Sequence, residues 1–274
     1  MTLTLGTGPF AKPGKGALNF DLNAAAPAHV LFLHEVPKRV RALLGGETVV
    51  DSRRTQLLHE TGLLPQLYVP FDDVRMDLLE QTAKSTHCPF KGDARYWTVR
   101  VGERVEEDVV WSYPEPLTGA PPLAGLAAFY FDRMDAWYEE DEELVGHMRD
   151  PFHRVDTRAG SRHVVVRVGG EVVAETNSPV MLFETGLPVR YYLPVDGVRE
   201  DLLEPSETTS VCPYKGTACY ASVRTGGDRG GDIGGDRAAD VAWTYREPLG
   251  EALQVAGLWS FLGDDVDIDV TDPD

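Results

Sequence analysis

"CPFKG" at residues 88–92 recurs as "CPYKG" at 212–216, so Cys88 and Cys212 stand 124 residues apart. The same offset carries "GGETVV" (45–50) onto "GGEVVA" (169–174) and "HETGLLPQLYVP" (59–70) onto "FETGLPVRYYLP" (183–194). It also carries "RMDLLE" (75–80) onto "REDLLE" (199–204), and Tyr96 onto Tyr220. Further on, "WSYPEP" (111–116) matches "WTYREP" (243–248), an offset of 132, and "LAGLAAFYF" (123–131) matches "VAGLWSFLG" (255–263). The second copy therefore carries eight extra residues within "TGGDRGGDIGGDRAAD" (225–240), a stretch whose glycines and aspartates suit a flexible loop. The period is far longer than that of stacked solenoid repeats. Whatever this chain folds into, it folds into it twice, over residues 28–134 and 161–267, with 135–160 between them. A length of 274 residues and 42% hydrophobic content leave each copy enough apolar material for its own core.

Within a copy the pattern is that of strands. "RVRALLGGETVVDS" (39–52) and "SRHVVVRVGGEVVAET" (161–176) each place two β-prone runs around a glycine pair, which suits the positive φ angles of a two-residue hairpin turn. "LYVP" and "YYLP" read as strands stopped by proline. "ARYWTVRV" (94–101) alternates. "VVWSY" (109–113) puts Trp111 and Tyr113 on one sheet face and Val110 and Ser112 on the other. "DDVRMDLLEQT" (72–82) opens with aspartates that suit a helix cap, and spaces Val74, Leu78 and Leu79 for one helical face. The expected architecture is mainly β: two tandem domains of antiparallel sheets, each with one short helix. Residues 135–160 are acidic at first and basic at the end, as a solvated linker would be. Trp137, Tyr138 and Phe152 point instead to a segment packed on a domain. The acidic tail "DDVDIDVTDPD" reads as disordered.

Charge and composition exclude several function classes. Lys and Arg total 26 against 44 Asp and Glu, a net charge of −18. Such a surface repels phosphate backbones and argues against nucleic-acid binding. No apolar run is long enough for a membrane-spanning helix. The first twenty residues lack the apolar core of a secretory signal. Cys88, Cys212 and Cys219 make no disulfide framework. A cytoplasmic protein is expected.

The set "GGE…ETG…YYLP…LL…CPYKG…Y…WTY…P" resembles the bacterial family known as domain of unknown function 427, here in two copies. The resemblance implies a β-tent-like fold, two small sheets packed over a cleft, similar to zinc-binding modules and to methionine sulfoxide reductases of the selenoprotein-R type. One label of the family names a nucleotidyltransferase. The paired Cys-x-x-Cys knuckles of the zinc-bearing relatives are missing, and three scattered cysteines do not supply four zinc ligands. No metal and no cofactor are expected. Many members carry Trp after the Tyr that follows the Cys-Pro-Tyr-Lys-Gly turn. The first copy keeps it as Tyr96-Trp97; the second has Tyr220-Ala221.

Candidate site residues follow from what the two copies share. Lys91 and Lys215, framed by proline and glycine, suit a point contact to a carboxylate or phosphate, or else a surface ion pair. Glu60 and Glu184 sit in matching "ETG" turns as partners for those lysines or as acid–base groups. Tyr68, Tyr96, Trp111 and Tyr113, with Tyr192, Tyr220, Trp243 and Tyr245, form an aromatic set at strand spacing. It serves as core, or as a wall for a planar ligand. Arg190 has Gln66 opposite it and belongs to the second copy alone. Cys88 and Cys212 are the candidate nucleophiles, with a lysine three residues on to favour the thiolate. Most free cysteines, however, are small buried hydrophobes. The leading expectation is a small anionic ligand bound in a cleft of each copy. Thiol or nucleotide chemistry and a protein-interaction scaffold are the alternatives. The glycines near Gly6 and Gly8 lack the βαβ setting of a dinucleotide site. "GGDRGGDIGGD" (226–236) lacks the setting of a calcium-binding β-roll.

Overall fold

A computed structural model describes residues 27–226 and 237–273 together with Asp21 and Ala24. The expectations for Gly6, Gly8 and residues 227–236 lie outside the described residues. The chain divides into two compact units, residues 1–153 and 154–274.

The first unit contains β1 (Leu31–Glu35), β2 (Val40–Leu44), β3 (Glu47–Ser52), β4 (Gln56–Glu60), β5 (Gln66–Pro70), β6 (Leu79–Cys88), β7 (Gly92–Val101), β8 (Arg104–Ser112), β9 (Leu126–Phe129), β10 (Ala136–Glu139) and β11 (Glu142–Leu144). They make a seven-stranded antiparallel sheet in the order β1-β4-β5-β9-β8-β7-β6 and a four-stranded one in the order β11-β10-β2-β3. Alternation along the large sheet sends one set of side chains to each face. Leu57, Leu67, Val69, Val110 and Ala127 join Val40, Ala42 and Val50 of the small sheet in the main core. Their neighbours Leu58, Tyr68, Trp111 and Ala128 form a separate cluster with Tyr96, Tyr113 and Cys88.

The second unit contains β12 (Val155–Ala159), β13 (His163–Val168), β14 (Glu171–Thr176), β15 (Val180–Glu184), β16 (Arg190–Tyr192), β17 (Leu203–Cys212), β18 (Gly216–Arg224), β19 (Arg237–Tyr245), β20 (Trp259–Phe261) and β21 (Val266–Thr271). Its strand orders are β12-β15-β16, β17-β18-β19-β20 and β14-β13-β21. Leu193 and Trp259 bridge the ends of β16 and β20 through two backbone hydrogen bonds of 2.7 and 3.0 Å. With that bridge, the large sheet of the first unit is reproduced strand for strand.

The glycine-pair hairpins form as expected: Gly45-Gly46 (φ 58° and 81°) joins β2 to β3, and Gly169-Gly170 (φ 57° and 84°) joins β13 to β14. Two expectations need correction, the helix at 72–82 and the disordered tail. Residues 72–82 are not a helix. They form 3-10 turns at Phe71–Asp73 and Met76–Leu78, and β6 begins at Leu79. Val74 is drawn into an extended bridge with Val50, and the Arg75 N–H donates to the Val49 carbonyl, so sheet pairing overrides the helical spacing. The second copy does the same at Val195–Gly197 and Glu200–Leu202. Residues 135–160 pack, as Trp137 indicated: β10 and β11 complete the first unit and β12 opens the second. Trp137 and Glu139 point inward while their neighbours stay partly exposed. The acidic tail is β21, paired along its length with β13. Val266, Ile268 and Val270 pack on the second core, and Asp269, on the other face, pairs with Arg167.

Candidate functional site

Each site starts from one hairpin turn. Cys88 and Gly92 are the last rung between β6 and β7, leaving Pro89, Phe90 and Lys91 as the loop. Gly92 holds φ +105°, and a Cβ there would lie 3.1 Å from the Glu115 carbonyl oxygen. Glycine thus admits the segment after β8, whose Leu117 N–H donates to the Lys91 carbonyl at 3.1 Å. The second unit repeats this with Cys212, Gly216 (φ +92°, 3.2 Å from the Glu247 carbonyl oxygen) and a 3.1 Å bond from the Leu249 N–H to the Lys215 carbonyl.

The loop aims its lysine at the glutamate that ends β4. Lys91 Nζ donates to Glu60 Oε2, and Lys215 Nζ to Glu184 Oε2. In sheet order β4 and β7 are four spacings apart, about 19 Å if the sheet were flat. Two side chains do not span that gap, so the contact requires the sheet to curl. Register shifts between Gln81 and Ser85 on β6 and between Trp97 and Val99 on β7 supply bends. All four side chains are largely enclosed, 11% and 9% exposed in the first pair and 12% and 7% in the second. In the first unit His29 Nε2 lies 2.9 Å from Glu60 Oε1, and its ring stacks on Phe90 at 3.7 Å.

The enclosed face of the curl is aromatic. Lys91 Nζ lies 5.6 Å from the centroid of the Tyr113 ring. Trp243 meets Tyr192 edge-on at 6.4 Å and donates its indole N–H to the Tyr192 hydroxyl at 3.3 Å. Tyr96 and Tyr220 exchange hydrogen bonds of 2.9 Å with Thr86 and Ser210. Burial pushes the phenols of Tyr68, Tyr113 and Tyr245 far above the ordinary tyrosine range, and that of Tyr192 up to about 12. These tyrosines are neutral hydrogen-bonding groups at physiological pH, not phenolate bases.

The candidates named from the sequence therefore fall into two sets. Glu60, Lys91, Cys88, Tyr68, Tyr96, Trp111 and Tyr113 come together in the first unit. Glu184, Lys215, Cys212, Tyr192, Tyr220, Trp243, Tyr245 and Arg190 come together in the second. Cys219 is a free thiol like Cys88 and Cys212, and it lies on the β18 strand rather than in the turn. Asp73 caps no helix: it accepts from Ser52 and Arg54, and Arg54 holds its carboxyl below the usual range.

Sequence reasoning missed His29 and the rim. The 124-residue offset that pairs the lysines also pairs His29 with His153, a signal available in the sequence. Exposed Leu63, Phe90 and Leu117 adjoin the first ion pair: the Leu63 N–H donates to the Glu60 carbonyl, Phe90 precedes Lys91, and Leu117 bonds to it. Also missed was a first-unit cluster without counterpart in the second. There His34 Nε2 and His59 Nε2 lie 3.0 Å apart, fully buried His59 faces Asp150 at 3.8 Å, and Phe32 and Phe152 flank the rings. Phe183 and Arg158 stand where the second copy would need the two histidines.

Among the described residues no group of three or more His, Cys, Asp or Glu side chains is placed to hold a metal ion, and no helix is long and apolar enough to cross a membrane. A family model described as "Domain of unknown function (DUF427)" matches residues 32–140 and again residues 156–272. No curated protein matches the chain.

Proposed function

Since the chain belongs to the DUF427 family, over two copies that span most of its length, and that membership brings a fold without a reaction, we propose that each unit binds a small molecule bearing an anionic group on an apolar or aromatic body. The observation that carries this reading is the buried lysine. An ammonium has three N–H donors. Among the described residues Lys91 gives one to Glu60, and Lys215 gives one to Glu184. A ligand oxygen adds a second charge-assisted hydrogen bond to an ammonium already held in place by its glutamate. The glutamate holds the ammonium in place, and the aromatic face with the Leu63–Phe90–Leu117 rim offers an apolar surface beside it. Replacing buried ion pairs by apolar side chains is often neutral or stabilising. Two such pairs built alike in one chain therefore favour a use for the charge over a packing role. The chain's net charge of −18 disfavours nucleic acid as the ligand, and its three free thiols fit a cytoplasmic setting.

The test is ligand-observed NMR of the full chain against aromatic carboxylates, phosphate esters and nucleotides. Binding that disappears in the Lys91→Met/Lys215→Met double variant supports the reading. Binding that survives in that variant, or no binding across the panel, refutes it.

Thiol chemistry is the second reading, favoured by the cysteine that packs against the aromatic cluster in both units. It requires Cys88 or Cys212 to react with iodoacetamide at neutral pH markedly faster than Cys219. Equal, slow labelling of all three removes it.

A further inference from the structure

The two sites differ in one cation. Arg190 and Tyr192 point the same way from β16, two residues apart, and the Arg190 guanidinium lies 5.9 Å from the centroid of Trp243. Several other arginines of the second unit sit on acids: Arg167 on Asp269, Arg199 on Asp201, Arg224 and Arg237 on Glu204. Among the described residues Arg190 has no acidic partner and no side-chain hydrogen bond; its contact is the indole face. Burial is the main reason the Tyr192 phenol is pushed up to about 12, with Glu184 acting in the same direction and Arg190 against it, which places the guanidinium in the electrostatic surroundings of that hydroxyl.

The first unit is the internal control. Gln66 holds the position of Arg190 and commits its amide to the Leu67 and Phe129 carbonyls at 3.1 and 3.2 Å. The first unit does have a cation on its aromatic set, Lys84, 4.4 Å from the Tyr96 centroid, but Asp108 lies 3.6 Å from it. The first unit therefore has no guanidinium at the place where Arg190 lies on Trp243. The planar fork of Arg190 matches two oxygens of one phosphate or carboxylate, which a lysine cannot do.

We propose that the second site takes a doubly charged, phosphate-type anion carried on an aromatic body, with Arg190 as the residue that selects it, whereas the first site takes a singly charged one. This rests on the proposed binding function and adds to it a ligand class and a division of labour. Arg190 stacked on Trp243 is pre-positioned, so little side-chain freedom remains to be lost on binding. Lys215 and Arg190 together supply two positive charges against Glu184. In the first unit Lys91 stands against Glu60 without that second cation.

The experiment is calorimetric titration of the full chain carrying Lys91→Met/Glu60→Leu, which silences the first site. The probes are phenyl phosphate and benzoate at pH 8. Phenyl phosphate is expected to bind about tenfold or more tighter than benzoate, the scale of one charge-assisted pair. Arg190→Gln, which installs the residue of the first unit, should bring the two probes to within about threefold of each other. Arg190→Lys, which keeps the charge and loses the fork, should fall between them. Undiminished preference for phenyl phosphate in Arg190→Gln overturns the inference and leaves the proposed function standing. Failure of wild-type protein to bind either probe overturns both.

Discussion

Replacing Lys91 by methionine leaves Glu60 as a carboxylate with a side chain only 9% exposed and its ammonium partner gone. Breaking a buried pair from one side costs about 3–5 kcal/mol, mostly the penalty of the charge left behind. His29 keeps its 2.9 Å contact with Glu60 Oε1, which puts the expectation at the lower end, about 3 kcal/mol. For a unit of this size each kcal/mol moves the melting temperature by about 4 °C, so the first-unit transition should fall by about 12 °C. Removing both charges together, in Lys91→Met/Glu60→Leu, leaves neither member of the ion pair behind as an uncompensated charge, and the 22% exposed His29 loses its contact with Glu60. Apolar replacement of a buried pair is neutral or better, so that variant should melt within about 1 kcal/mol of wild type. Scanning calorimetry measures the cycle, and the matching Lys215→Met and Lys215→Met/Glu184→Leu variants identify which transition belongs to which unit. A double variant as unstable as Lys91→Met alone would show that the pair holds the fold together, and the argument that it is kept for binding would fail.

Three further outcomes are expected. Burial holds the His59 imidazole below its ordinary pKa, with His34 acting in the same direction and Asp150 opposing. The folded state then binds fewer protons than the unfolded state. Its contribution is complete above pH ~6.5 and declines as the pH falls from there towards the folded value. Urea midpoints from pH 8 to pH 5 should show this slope, and His59→Phe should flatten it; an unchanged slope refutes the assignment. Gly92→Ala must adopt φ +105° with its Cβ 3.1 Å from the Glu115 carbonyl oxygen, whereas Gly46→Ala at φ +81° meets nothing within 4 Å. Gly46→Ala should cost about 1 kcal/mol and Gly92→Ala at least twice that by denaturant unfolding. Equal costs would deny the close approach. Deleting residues 266–273 strips β21 from β13 and removes the contacts of Val266, Ile268 and Val270 with the second core, about 3–5 kcal/mol at the usual value for partly buried aliphatic side chains. The second-unit transition should fall and the first stay in place; an unmoved second transition would mean that the strand adds nothing.

Much of the fold was legible because duplication made the sequence its own comparison. The glycine-pair hairpins, the faces of Trp111 and Val110, and the pairing of each turn lysine with the "ETG" glutamate were all readable from chemistry repeated in the two copies, although the meeting of their strands was not. What failed was reasoning from single windows. The spacing of Val74, Leu78 and Leu79 fits a helix, but Val50 and Val99, 24 and 20 residues from Val74 and Leu79, claim that backbone for sheet. Acidity made β21 look solvated, although the strand period hid in it, with Val266, Ile268 and Val270 inward. No window of sequence showed that β4 and β7 would meet across a curled sheet. The His34–His59 cluster was invisible for a different reason. It exists in one copy only, so the repeat gave no signal for it.

The central claim is two separate binding sites, each centred on its own lysine. The most direct test is calorimetric melting of the full chain with and without a mixture of millimolar benzoate and phenyl phosphate, one probe for each site. Ligand that binds only the folded state raises the transition of the unit it binds, by about 2.7 kcal/mol at a hundredfold excess over its Kd. In wild type both transitions should rise. Lys91→Met should abolish the rise of the first alone, Lys215→Met that of the second alone, and the double variant both. Two transitions that rise as before in the double variant would contradict the account, and so would two that never move in wild type.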